Sequence, residues 1–316
     1  MSESYVLKYL TADFPYVKEI MGFFMACQGA IAVRSISASR KPKPFVWFHA
    51  FALSVVVGFG GACFTPLLMG RPTSMLSSDI NFPLCFIAFY LVNYSPFDIV
   101  HKILTTFLGT CVVTIFAQLF RAKGISTFVN IAFKAFEESP SAYYSIPVVG
   151  PIAFATLLGN MGPFFVKGFH GHLEGGMPFG FQNGLFCASI YHFYSNDTSG
   201  VIGISIRKAV NMVIAAVPAL SSATESLSDE VLAASFITGF MTLMGILQLP
   251  KLLGPKFSPF DPLSEVVVML LGMDIPPGTA MKKKNIKSVQ KVTTSEPATR
   301  KDQSGTKKKK KKTKNA

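Results

Sequence analysis

Apolar runs without a charged residue recur along this chain at the length that a lipid bilayer demands. A helix rises about 1.5 Å per residue, so about 20 residues cross the hydrocarbon core. Six such runs occur: Phe45–Gly70, Ile80–Phe97, Ile103–Phe120, Ala142–Val166, Met177–Tyr194 and Val231–Pro250. A seventh comes first, because Ile20–Val33 is extended by residues 14–19, whose Lys18 and Glu19 can pair or reach the interface. We therefore predict an all-α membrane protein with seven transmembrane helices.

The composition agrees with a membrane protein and sets the carboxyl-terminal tail apart. Half of all residues are hydrophobic, 15% are charged and the mean hydropathy is +0.41, too apolar for a soluble protein of this length. The net charge is +13, and residues 282–316 hold 14 Lys and Arg against two acidic residues. This segment cannot bury enough apolar area to offset its ordering entropy, so we predict a disordered Lys-rich tail at 274–316. It either only sets the topology or also binds anionic membrane lipids, and we expect no nucleic acid partner.

Basic residues near the spans predict the orientation of the chain. The loop after the first span contains Arg34, Arg40, Lys41 and Lys43, and the positive-inside rule places it, like the tail, in the cytosol. With seven spans the amino terminus is then lumenal, and so is the glycosylation acceptor at Asn196. The final residues "KTKNA" resemble a cytosolic dibasic retrieval signal of the endoplasmic reticulum, although a poly-Lys terminus produces this spacing by chance as well.

The tetrapeptide Ser-Pro-Phe-Asp occurs twice, at residues 95–98 and 258–261. In this pattern Ser is the N-cap, Pro takes the first helical position and Asp the third. Ser95 and Asp98 then start a helix after the third span, with Lys102 on the same helix face as Asp98. Ser258 and Asp261 start a segment that ends at Gly272, which is too short to cross the membrane and should lie in the interface.

Glycines predict breaks in two of the spans. The second span contains Gly58, Gly60 and Gly61 followed by Pro66, and the fifth contains Gly159 and Gly162 followed by Pro163. Each of these two spans is the middle helix of a triplet. Because three spans return the chain to the other side of the membrane, consecutive triplets have opposite orientations, which is the outline of an inverted 3+3 repeat plus one helix. Backbone exposed at such breaks is tolerated only inside protein or along a water-filled cavity, so we predict that these residues line a pore. The alternative is that these glycines permit close helix packing.

These motifs resemble the trimeric intracellular cation (TRIC) channel family over roughly residues 14–273. The resemblance is carried by "FGGACFTPLLMGRP" at 59–72, by both Ser-Pro-Phe-Asp motifs and by the Lys-rich tail. It implies seven helices in an inverted repeat, a homotrimer with one pore in each protomer, and conduction of monovalent cations, chiefly potassium. Such channels supply counter-ion current for calcium release and uptake by the endoplasmic or sarcoplasmic reticulum.

The resemblance also implies a phosphoinositide site, and here the chain departs from the family pattern. The fourth-helix motif keeps its arginine as Arg121 but has Ala117 in place of lysine, so Lys102 and Lys123 are the substitutes that could complete a lipid site. Lys167 stands where relatives have small polar residues, and it either reaches the cytosolic end or sets a gate. Phosphoinositide is the only bound cofactor that we expect.

The expected domain organisation follows from these motifs. We predict a channel domain at 1–273, composed of a first triplet at 14–97, a second triplet at 98–194, a lumenal insertion at 195–228, and a seventh helix with an interfacial helix at 229–273. Within the insertion, Ile206–Thr224 is apolar enough for an amphipathic or re-entrant helix, and an eighth span is the alternative, against which Arg207, Lys208 and Pro218 argue.

Two other function classes were weighed against a channel. The spans have no converging acids or nucleophiles, so we expect no enzyme and no catalytic residues. His170 and His172 with Glu174 form an incomplete metal set, and we expect no metal site. A secondary transporter remains the alternative, because broken helices in an inverted repeat fit alternating access equally well.

Overall fold

The structure, a computed structural model, describes residues 5–40, 44–73, 75–138, 143–173, 177–216, 227–254 and 258–260. Every regular element in these ranges is helical: α1 Tyr5–Thr11, α2 Val17–Ser39, α3 Trp47–Leu68, α4 Asn81–Tyr94, α5 Ile99–Thr105, α6 Phe107–Phe136, α7 Val149–Asn160, α8 Phe164–Leu173, α9 Phe179–Asn196, α10 Val201–Ala215 and α11 Asp229–Leu247. A 3₁₀ turn, Pro96–Asp98, joins α4 to α5. Asp261, the predicted interfacial helix and the Lys-rich tail lie outside the described residues. The all-helical fold class is confirmed for the part of the chain described.

Each predicted span overlaps a helical segment. Among the described helices α2, α3, α6 and α11 are long and apolar enough to cross a membrane, and α4 with the segment through α5 is a fifth if this bent pair counts as one span. The bend within that pair is 88°. Helices α7 and α9 are shorter or more polar, so the number of seven spans and the inverted repeat stay predictions.

The predicted break in the second span is wrong. Helix α3 runs unbroken through Gly58, Gly60 and Gly61, and Pro66 lies inside its last turn. These glycines instead let α3 pack closely on neighbouring helices: a Cβ on Gly58 would come within 3.2 Å of the Met25 carbonyl oxygen of α2. The alternative of close helix packing therefore accounts for these glycines.

The fifth span, by contrast, does break where it was predicted to. Helix α7 ends at Asn160 and α8 begins at Phe164, so Gly162 and Pro163 lie in the connection. Pro163 has no backbone N–H to continue the ladder of α7, and its ring clashes with the preceding turn of a helix. A second irregularity follows at Gly168, whose φ of 70° is in the left-handed region that favours glycine.

Most of the described helices pack into one of two hydrophobic cores. One is formed by α2, α3 and α4 with Ala117 of α6, and Cys27, Phe59 and Val92 are among its buried members. The other is formed by α6, α7, α9, α10 and α11 around residues such as Ile125 and Ile237. The 30-residue helix α6 contributes to both cores and thereby joins the two groups of helices.

Candidate functional site

A cavity of about 390 Å³ opens between α2, α3, α6 and α7. Its wall contains five of the predicted pore residues, namely Gly58, Gly61, Gly159, Gly162 and Pro163. Two of the predicted lipid-binding residues, Arg121 and Lys123, lie in the same wall. The structure therefore brings together, in one cavity, residues that the sequence had placed in two separate sites.

The backbones of α3 and of the α7–α8 connection cross in contact at this cavity. A Cβ on Gly61 would overlap the Leu158 carbonyl oxygen, and a Cβ on Gly162 would overlap the Val57 carbonyl oxygen. A Cβ on Gly60 would lie 3.1 Å from the Gly162 Cα atom. No side chain fits between the two segments, so glycine at these positions sets the distance between α3 and α7 and thereby the width of the cavity.

Basic side chains dominate the charge of the cavity. Lys18 of α2 joins Arg121 and Lys123 of α6 in the wall, together with the polar side chains of Ser78 and Asn81. The wall residues that the structure describes include no Asp or Glu. An anion in this space is therefore attracted by the positive charge, whereas a cation that passes through is repelled by it.

Arg121 has only part of its hydrogen-bonding capacity used. Its Nη2 donates to Gln28 Oε1 of α2 at 2.8 Å, whereas its Nε is buried and has no partner among the described residues. A buried guanidinium N–H without an acceptor is costly. The Nε–H of Arg121 can therefore donate to one further acceptor.

Other predicted site residues lie away from the cavity. Lys102 is not among its described wall residues, and its ammonium donates to the Phe97 carbonyl oxygen at 3.0 Å. Pro66 lies near the end of α3. Lys167 belongs to α8, and its side chain lies outside the described residues.

The first Ser-Pro-Phe-Asp motif starts a helix in a way that differs from the prediction. Ser95 is an N-cap, but its hydroxyl accepts from Val100 N at 3.3 Å, because the regular helix α5 begins only at Ile99. In the 3₁₀ turn Pro96 is first and Asp98 third, as predicted, but Asp98 has a left-handed φ of 62° and pairs with Arg34 of α2. The motif thus ties the bend between α4 and α5 to the end of α2.

The second motif makes a different contact. The Ser258 hydroxyl donates to Gln182 Oε1 near the start of α9 at 2.8 Å. Asp261 lies outside the described residues, so the cap predicted for this motif stays a prediction.

Sequence reasoning missed two residues of the site. The sequence predicts that Lys18 pairs with Glu19 or reaches the interface, and it gives Gln28 no role, yet Lys18 lies in the cavity wall and Gln28 accepts from Arg121. Both are exceptional as polar side chains in a segment that otherwise reads as a span, and intramembrane polar residues are functional candidates by default. That signal, applied to the first span, could have found them.

Comparisons with known proteins find a family model and solved structures that are similar to this chain. Residues 34–159 match the family model "TRIC channel", which confirms the resemblance predicted from the sequence. A solved structure of a trimeric intracellular cation channel from C. elegans in the absence of Ca²⁺ is 17% identical, with a TM-score of 0.52 over 77% of this chain and 95% of that chain. The same type of channel from C. elegans with bound Ca²⁺ is 18% identical, with a TM-score of 0.42 over 78% of this chain and 98% of the other. No curated protein sequence matches the chain.

Proposed function

We propose that this protein, whose residues 34–159 match the TRIC channel family model, belongs to that family and is a monovalent cation channel that conducts chiefly potassium. The proposed unit has seven transmembrane helices in an inverted 3+3 repeat plus one, and one pore in each protomer of a homotrimer. The similar C. elegans structure is of a trimeric intracellular cation channel, which supports the trimer and an intracellular membrane.

The observation that carries the proposal is the cavity beside the glycine crossing. A spanning segment that ends at Asn160 leaves backbone groups that the membrane cannot satisfy, and such a break is tolerated where it faces water. The cavity lies at this break and is bounded by α3 and α6, which are both long enough to span. A permeation path along α3, α6 and α7 accounts for the break, the crossing and the polar wall together.

The basic wall belongs to the same proposal. Ring-like or clustered charges tune which ions enter a pore and when it opens. Arg121 and Lys123 lie on α6, so a movement of this helix or the binding of an anion would change the barrier that a potassium ion meets. We assign these residues to gating, and the passage itself to the uncharged wall around Gly61 and Gly162.

We also propose that an anionic lipid headgroup, a phosphoinositide, binds Arg121 and Lys123. The unpartnered Nε of Arg121 and the nearby Lys18 support a negatively charged acceptor. Lys102 is the less favoured member of this site, because its ammonium already bonds to the Phe97 carbonyl. Added phosphoinositide should raise the melting temperature of the wild type, Arg121→Ala should reduce the rise, and Lys102→Ala should leave it unchanged. No rise for the wild type would refute the lipid site.

The proposed location is the endoplasmic or sarcoplasmic reticulum, with the amino terminus lumenal and the carboxyl terminus cytosolic. A potassium current there would offset the charge that calcium release and uptake move. The basic loop after α2 and the "KTKNA" terminus support this address. Changing Lys312 and Lys314 to Ser while keeping the other lysines should release the protein to later secretory compartments; unchanged residence would refute the signal.

Recording from the purified protein in a planar bilayer tests the function. A channel gives unitary current steps, whereas the alternative, a secondary transporter, gives a saturable flux without steps. Gly61→Ala pushes the crossing backbones apart and should strongly change the steps; only protein that elutes as an intact oligomer in size-exclusion chromatography is recorded. Unchanged current in an intact oligomer would show that the pore lies elsewhere.

A further inference from the structure

Helix α10 has two faces of different character. It begins shortly after the end of α9, and its inner face buries Gly203, Val210 and Ile214 against the core of α6, α7, α9 and α11. Its outer face is apolar, with Val201 80% and Met212 73% exposed. A helix that faces water normally carries polar side chains on its outer side. The apolar outer face of α10 is therefore expected to contact an apolar surface and not water.

Polar contacts fix α10 at the ends of two long helices. The Asp197 carboxylate, directly after α9, accepts from Gly200 N and Gly203 N, both at 2.9 Å. The Arg207 guanidinium stacks over the Tyr194 ring at 5.0 Å and donates to Asp229, the first residue of α11, at 2.7 Å. Since α11 is long and apolar enough to cross a membrane, a span that begins at Asp229 would put α10 at the membrane boundary.

The polar groups of α10 are arranged so that its outer face carries little that requires water. Arg207 is drawn inward to Tyr194 and Asp229, and Asn211 accepts from the Tyr194 hydroxyl at 2.9 Å. The Ser205 hydroxyl, on the outer side, donates back to the Val201 carbonyl at 2.7 Å. Lys208 is the one charged side chain of α10 that is exposed without an ion pair among the described residues.

We propose that α10 is an interfacial amphipathic helix whose outer face, formed by Val201, Ile202, Met212 and Val213, inserts into the lipid surface at the end of α11. Amphipathic helices of this kind bury their apolar face about 5–10 Å into the boundary between headgroups and acyl chains. Lys208 then extends along this surface to lipid phosphates, as long basic side chains do at membrane interfaces. The inference rests on α11 crossing the membrane and not on channel activity.

Tryptophan fluorescence tests this placement directly. The chain has a single Trp, so Trp47→Phe provides a silent background in which Met212→Trp reports only on the outer face of α10. The full-length protein is reconstituted into phosphatidylcholine vesicles that contain lipids brominated either near the carbonyl end or near the methyl end of the acyl chain. Tyr143→Trp in the same background is the matched control, because Tyr143 is 97% exposed and neighbours Tyr144, which bonds to Asp197 at the same end of the bundle.

The lipid placement predicts roughly twofold or stronger quenching of the Met212→Trp variant by bromine near the carbonyl end, and weaker quenching by bromine near the methyl end. The Tyr143→Trp control should be quenched less by bromine and more by iodide in the water. Two results for Met212→Trp would overturn the proposal: iodide quenching without bromine quenching would place this face in water, and protection from both quenchers would place it against another protein surface. A melting temperature within about 2 °C of the background protein, well below the shift that a core defect causes, confirms that each variant is folded.

Discussion

Gly61→Ala perturbs the proposed pore by one methyl group at the crossing of α3 and α7. The added Cβ would overlap the Leu158 carbonyl oxygen and lie 2.7 Å from the Leu158 Cα atom. Optimal carbon–carbon separations are about 3.5–4.0 Å, and the overlap with the carbonyl oxygen is closer still, so the two segments would have to move apart by more than about 1 Å. Because both partners are backbone, no rotamer change relieves the overlap.

Overpacking of this kind costs about 1–3 kcal/mol, and a clash with the rigid backbone of Leu158 places Gly61→Ala at about 3 kcal/mol. For a helical unit of this size we expect the melting temperature to fall by roughly 6–12 °C. Single-channel current should change in the same variant, because the width of the cavity depends on the crossing. Thermal unfolding followed by size-exclusion chromatography and bilayer recording are the two assays.

Gly159→Ala is the matched control, since it lies in the same cavity wall on α7. Its Cβ would come within 3.3 Å of the Ile125 Cδ1 atom, the end of a side chain that can move by a few tenths of an ångström. Such small adjustments cost under about 1.5 kcal/mol, so we expect the melting temperature to fall by less than about 3–6 °C. If Gly61→Ala behaves like Gly159→Ala in both assays, the glycine crossing does not control the cavity.

Three further predictions concern contacts outside the cavity. Asp98→Asn should lower the melting temperature at neutral pH, because the hydrogen bond from Arg34 holds the pKa of Asp98 below its usual 3.8. The wild type should keep this stabilisation above pH 3.8 and lose it as the pH falls through the lowered pKa. An equal loss of stability in Asp98→Asn at low pH would contradict the pairing. Asp197→Asn should lower the free energy of unfolding by about 1–3 kcal/mol in calorimetry, because the buried carboxylate accepts from Tyr144 and two backbone N–H groups. The exposed control Thr198→Ala should cause no measurable loss, and equal losses in the two variants would refute this role of Asp197. Tyr9→Phe should cost about 1 kcal/mol by the same measurement through its lost bonds to Ile115 and Thr242, with exposed Tyr5→Phe as the neutral control; no difference between the two would show that α1 is not held by this hydroxyl.

Hydrophobic run length was a good guide to the helices, because bilayer thickness fixes the length of a spanning segment. The same signal failed to distinguish a broken helix from a closely packed one. Gly58–Gly61 and Gly159–Gly162 look alike in sequence, but only the second is followed at once by a proline, Pro163, which ends the ladder. In the first, Pro66 comes later in the chain and is accommodated in the last turn of α3.

The charged contacts of the site were harder to predict than its glycines. That Asp98 pairs with Arg34, 64 residues earlier, depends on the 88° bend between α4 and α5, which local helix-capping rules do not contain. Likewise, the meeting of Lys18 with Arg121 in one cavity depends on the packing of α2 against α6. Local patterns predicted the elements here, whereas the convergence of basic side chains is a product of tertiary packing.

The reversal potential of single-channel current tests the central claim most directly. Purified protein in a planar bilayer is recorded under a potassium chloride gradient, and the basic wall of Lys18, Arg121 and Lys123 makes the outcome informative. The account predicts unitary steps that reverse near the equilibrium potential of potassium. A reversal near the chloride potential, or flux without unitary steps, would contradict a cation channel.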